Sequence, residues 1–151
     1  MAMNGFCGRV IAFEPDPVHY ECLVKNCPED VETHQLAVGN EEKMISLSED
    51  NFTQAKRVVG DGTIPMVTID SLDLDDVDLI KIDVEGFEME VLKGAENTLK
   101  NVDYLMIELN NNSKKYGSSN LEIEKHLRKT GFEIMIKVWP DVVWRKKGNS
   151  K

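Results

Sequence analysis

The stretch Asp78-Leu79-Ile80-Lys81-Ile82-Asp83-Val84-Glu85-Gly86-Phe87-Glu88 decides how this chain is read. Its first half is an apolar run, as expected of a buried strand in a parallel sheet. It then ends in two carboxylates and a glycine and passes into a helical pattern. Ligands of open α/β sheets gather outside the carboxyl ends of the strands. Asp83 and Glu85 therefore stand where chemistry is expected. Lys81 interrupts the run and shares a face with Asp83 by period-two alternation. A buried lysine is rarely unpaired. An ion pair with a neighbouring acid is the plain expectation, and a place beside a substrate is the sharper one.

Working outward, strand-like and helix-like patterns alternate, which argues for a mostly parallel sheet with flanking helices. Residues 9–14 form a short apolar strand closed by Glu14. Asp16 and Pro17 follow as an N-cap and a first-turn proline, and Tyr20, Leu23, Val24 and Cys27 recur at helical spacing. Residues 31–38 and 44–47 read as strands, 48–62 as a loop, and 64–69 as extended, with Pro65 favouring a sheet edge. Met89, Val91, Leu92, Ala95 and Leu99 give a helix its apolar face, with Gly94 as a break. Residues 102–109 read as another central strand, followed by the polar run Asn110-Asn111-Asn112-Ser113. Ser119 and Glu122 make a capping box, Leu121, Ile123 and Leu127 an apolar stripe, and Gly131 a helix stop. Residues 132–138 and 142–146 read as a terminal antiparallel hairpin around Trp139-Pro140-Asp141. No repeat or linker interrupts the 151 residues, so a single domain spanning 1–151 is expected.

Composition narrows the function. The formal charge of −9 opposes binding to nucleic acid phosphates, and the basic cluster Arg145, Lys146, Lys147 and Lys151 reads as a solvated tail. No apolar run reaches the ~18 residues a membrane span needs, and residues 1–8 lack the pattern of a secretory signal. The expectation is a cytoplasmic protein with no membrane or nucleic acid partner. Cys7, Cys22 and Cys27 form no C-x-x-C pair and read as reduced, partly buried thiols; a metal site from His19, Cys22 and Cys27 is the weaker alternative. His34 reads as structural, His19 and His126 as lying near solvent. Trp139 and Trp144 are expected on the sheet or at an interface. No Ser-His-Asp, Cys-His or P-loop pattern is present.

Three strands end in acids: Glu14, Asp83 and Glu108, with Glu85 just beyond. Parallel strands would bring them to one sheet edge. Each alone reads equally well as a cap or a solvated charge. As a set they suit chemistry. Glu14 can accept hydrogen bonds from a ribose diol. Asp83 and Glu85 can orient a hydroxyl, take its proton or hold a divalent ion, with Glu108 in support. No metal is assigned.

Three blocks resemble the FkbM-type family of S-adenosylmethionine-dependent methyltransferases: residues 8–17 (GRVIAFEPDP), 35–39 (QLAVG), and 78–88 with 91–95 (DLIKIDVEGFE, VLKGA). The resemblance covers residues 8–108, and the last block is the most specific. It implies a class I methyltransferase-like, Rossmann-like sheet and O-methylation, often of a sugar hydroxyl. It further implies that Glu14 holds the cofactor ribose, that Ala37 and Val38 lie near its adenine, and that Asp83 and Glu85 face the reacting centre; Pro15 joins Glu14 as a cofactor-binding candidate, and Glu108 and Lys81 join the two acids as catalytic candidates. The family's first strand and G-x-G loop would precede Gly8, where nothing supplies them, so the domain reads as N-terminally incomplete. That strand would lie between those ending at Glu14 and Asp83. Either these two pair directly, or a second copy covers the gap in a homo-oligomer. The competing expectations are a methyltransferase-like fragment with little cofactor affinity and another ribose-nucleotide binder.

Overall fold

The computed structural model describes residues 8–48, 58–110 and 112–148. Cys7, Asn111, Lys151 and much of the loop expected at 48–62 lie outside them. The described chain is an α/β fold whose nine strands fall into three sheets rather than one.

The first is a two-stranded parallel unit, β1 (Val10–Phe13) and β2 (Val31–His34), joined by α1 (Pro17–Asn26). Asp16 starts α1 as expected: its Oδ1 accepts from the amides of Val18 and His19, each at 3.0 Å. The strand expected at 31–38 is broken. After β2 the chain resumes as β3 (Ala37–Val38) in a different sheet, pairing with β5 (Val58–Val67), which also pairs antiparallel with β4 (Lys43–Leu47). Part of the expected loop at 48–62 is thus strand. β5 is the middle strand, so Pro65 is not on an edge strand. It is tolerated because β3 pairs only with Met66 and Val67, leaving Pro65 one neighbour, Met44.

The third sheet carries the main core. Its order is β6 (Leu79–Ile82), β7 (Tyr104–Glu108), β9 (Asp141–Lys146), β8 (Phe132–Val138), with β6 and β7 parallel and the hairpin antiparallel. Two helices cover it: α2 (Glu88–Lys93) and α3 (Asn120–Lys129). Gly94 breaks the helix as expected, and Leu99 of the apolar stripe falls in a separate 3-10 turn, Thr98–Lys100. In α3 the capping box is present: Ser119 Oγ accepts from the Glu122 amide at 3.3 Å and bonds its carboxylate at 2.8 Å. Ile123 and Leu127, one turn apart, are fully buried against Leu105, Phe132 and Trp144. Each such side chain contributes about 1.5–3 kcal/mol by leaving water. A smaller core of Ala37, Ile45 and Met66 sits under β5, with Phe87 against it.

Several expectations are corrected. Strand β6 is not buried throughout: Leu79 is 57% exposed and Lys81 is also exposed. Among the described residues β1 pairs only with β2 and β6 only with β7, so the two do not close on each other. Among the described residues the other edge of β6 is unpaired, which leaves its backbone groups available for pairing. Trp144 packs in the sheet's core as expected, and Trp139 is 59% exposed at the hairpin turn. His126 is half-buried rather than near solvent. No helix among the described residues is long and apolar enough to cross a membrane.

Candidate active site

Strands β6 and β7 set the site. They pair in register with Ile82 opposite Ile107, so the next residues, Asp83 and Glu108, emerge side by side. The turn after β6 brings in Glu85. One carboxylate oxygen from each of Asp83, Glu85 and Glu108 lies within 4.8 Å of the other two. Lys81 Nζ donates to Asp83 Oδ2 at 2.7 Å, the expected ion pair, but both side chains are about half exposed.

Crowded carboxylates cannot all stay charged at no cost. Glu108 is pushed up to about 7, first by its hydrogen bond with Asp83, then by desolvation and the charges of Asp83, Glu85 and Asp141. Asp83 moves the other way. Partial burial opposes its ionisation, but hydrogen bonds from Glu108 and Lys81 outweigh it and hold the carboxyl below its ordinary value. The proton therefore resides on Glu108, because Lys81 favours charge on Asp83. The pair offers one acid and one base, 4.8 Å apart or less, near neutral pH. Three carboxylates at this spacing would also suit a hard cation. Lys81 already balances part of the charge, and nothing beyond the spacing points to a metal.

The turn is built for this. Glu85 adopts φ 53° and Gly86 φ 113°, both left-handed. Glycine is required at 86 because a Cβ there would stand 2.6 Å from the Asn112 carbonyl oxygen. Glu88 then folds back, its Oε1 accepting from the Gly86 amide at 2.7 Å. It is 2% exposed, and burial first, then the charges of Glu85 and Asp83, raises its carboxyl against the backbone hydrogen bonds it accepts.

The other expected residues lie elsewhere. Glu14, at the end of β1, accepts from the Asp16 amide at 2.8 Å through Oε1, and its Oε2 makes no hydrogen bond among the described residues. It does not join the acid cluster, because its strand belongs to another sheet. Pro15 is half-buried beside it. Ala37 is 3% exposed, within the small core, while Val38 is half-buried against the main one. His34 Nε2 bonds Glu32 and its ring stacks on Phe13, a structural role.

Residues the sequence reading passed over are Asn110 and Asn112, which both donate to Glu85, and Tyr116. The Tyr116 hydroxyl accepts from the Val58 amide at 2.9 Å and its ring meets Phe87 edge-on at 4.9 Å. The polar Asn run at a strand's carboxyl end was the available signal for the first two.

A parallel strand pair edged with carboxylates, backed by helices and an antiparallel hairpin, is a methyltransferase-like α/β fold. A solved methyltransferase FkbM from Methylobacillus flagellatus KT superposes with a TM-score of 0.61 over 91% of this chain and 36% of that one, at 19% identity. The methyltransferase FkbM domain matches residues 1–134, and the chain belongs to that family. The hexuronic acid methyltransferase AglP of Haloferax volcanii is 30% identical over 112 residues, 67% of this chain and 47% of the relative. The chain thus spans about half the length of that curated relative.

Proposed function

We propose that this domain serves S-adenosylmethionine-dependent O-methyl transfer to a hydroxyl of a small molecule, a sugar above all. The observation that carries the reading is the paired Asp83 and Glu108 at the ends of adjacent parallel strands, in a chain of this family. The named activity of the Haloferax relative supports a sugar acceptor. When bound, the cofactor supplies an electrophilic methyl group on a sulfonium.

The residues present fit its ribose end. Glu14 keeps Oε2 available to accept from a ribose hydroxyl, with Pro15 half-buried beside it. Val38 and the backbone of β3 would line the adenine, since the Ala37 side chain is enclosed by Ile45 and Met66. No described residue supplies a glycine-rich loop for the methionine end. At the reacting centre Asp83, ionised beside Lys81, would accept the acceptor's hydroxyl proton. Glu108 donates a hydrogen bond to the same oxygen or to Asp83, and Glu85 adds a fixed charge.

Among the described residues β1 and β6 each keep one unpaired edge, which favours a second reading, a domain with little cofactor affinity on its own. A second copy adding strands at those edges belongs to the proposal, and light scattering that reports a monomer at high concentration would remove it. Calorimetric titration with S-adenosylhomocysteine separates the readings. Micromolar binding that Glu14→Ala abolishes is the expected result. No heat at millimolar ligand establishes the second reading, and preference for a nicotinamide nucleotide overturns both.

A further inference from the structure

The side chains of Asn110 and Asn112 converge on one atom. Asn110 Nδ2 donates to Glu85 Oε2 at 3.1 Å and Asn112 Nδ2 donates to the same oxygen at 2.9 Å. The Asn110 amide is oriented for this, because its Oδ1 accepts from the Asn112 backbone amide at 3.0 Å. The same loop presses its Asn112 carbonyl against Gly86, the residue after Glu85. Its far end is latched by Tyr116 to Val58 and Phe87. Glu85 therefore sits in a left-handed backbone conformation with one oxygen held by two amides, and its Oε1 makes no hydrogen bond among the described residues.

Left alone, a partly exposed glutamate next to two other carboxyl groups would swing toward water to escape their charge. A left-handed non-glycine residue also relaxes unless its surroundings hold it. Both tendencies oppose the observed position, and the two asparagine amides oppose both. We propose that Asn110 and Asn112 are positioning residues that clamp Glu85 beside Asp83 and Glu108, so that the three carboxyl groups act as one unit. What that unit does rests on the methyl-transfer reading above; the clamp itself rests on geometry alone.

Glu108 reports the clamp, since the Glu85 charge helps keep its proton on. The side-chain carboxyl of Glu108 is followed by carbon-13 NMR against pH, in the chain without cofactor. Glu85→Gln is expected to shift the Glu108 titration to lower pH. Asn110→Ala combined with Asn112→Ala is expected to shift it the same way, and adding these to Glu85→Gln is expected to shift it no further. A loop anchor without this role would lower stability and leave Glu108 where it was. Glu108 unmoved in the asparagine variant but moved by Glu85→Gln overturns the proposal, as does Glu108 unmoved by Glu85→Gln. Should the double variant not fold, Asn112→Ser alone carries the same reading with a smaller shift in the same direction. S-adenosylhomocysteine titration of the same samples keeps the two ideas apart. Binding without the shift leaves methyl transfer standing and removes the clamp, and the shift without binding does the reverse.

Discussion

Gly94→Ala tests how the two cores are joined. At Gly94 a Cβ would stand 1.9 Å from the Gly39 carbonyl oxygen and 2.9 Å from its carbon. Both atoms are backbone, so no side-chain rotation relieves the clash. The two segments must part by roughly 1.5 Å in an interior packed as densely as an organic crystal. Both sides are pinned: Gly39 N donates to Val67 O, and Gly94 O accepts from Asp70 N, each at 2.9 Å. Losing both bonds leaves buried polar groups short of partners at about 1–3 kcal/mol each. Against this, Gly94 has φ −77°, a conformation alanine adopts freely, and the stiffer unfolded chain returns about 0.4–1 kcal/mol. The net expectation is a loss of about 1–5 kcal/mol, a large part of the ~5–15 kcal/mol typical of a domain. Urea unfolding followed by circular dichroism should show the midpoint fall by about 1–2 M at an unchanged slope. A loss under about 0.5 kcal/mol would refute the close approach, since surface substitutions alone give that much.

Two further outcomes follow from the same geometry. Lys146 Nζ donates to Leu99 O at 2.7 Å and Thr130 O at 2.8 Å and lies 4.6 Å from the Phe132 ring centre, while burial lowers its pKa. Lys146→Met should cost about 1–3 kcal/mol by stranding two carbonyls, and an unchanged thermal midpoint would show that they find other partners. Stability should also fall as pH rises through about 7, because Glu108 binds its proton more tightly folded than at its ordinary 4.5. That contribution is complete below 4.5 and lost above about 7, whereas Asp83, held low, acts in a separate acid window. Glu108→Gln should flatten the curve of urea midpoint against pH between those values; parallel curves for the two proteins would contradict the shared proton.

Local signals were legible where local chemistry decides the structure. Asp16, Ser119 with Glu122, and Gly131 punctuate helices through bonds a few residues long, and each does so here. The Asp78–Glu88 pattern placed Asp83 and Glu85 at a strand end, and the Lys81 pair followed from alternation. Alternation, however, tells which residues share a face and not whether anything covers it. The exposure of Leu79 and Lys81 was therefore invisible in the run. Nor does a continuous pattern reveal a change of sheet: residues 31–38 read as one strand, but Gln35 and Leu36 carry the chain from β1's neighbour to β5's. The site was half legible for the same reason. Asp83 and Glu108 meet because two strands run in register, but the asparagines around Glu85 act across 25 and 27 residues.

The unit of β1, α1 and β2 buries none of the residues in its helix or strands. Free energies of local opening follow buried contacts, so this segment belongs to the low end of the molecule's range and its amides should exchange with solvent well before those of β7 and β9. Glu14 rides on that segment. Any ligand held by Glu14 would then spend part of its binding energy ordering residues 8–36, and hydrogen-exchange protection gained there would measure occupancy more sensitively than any change near Asp83.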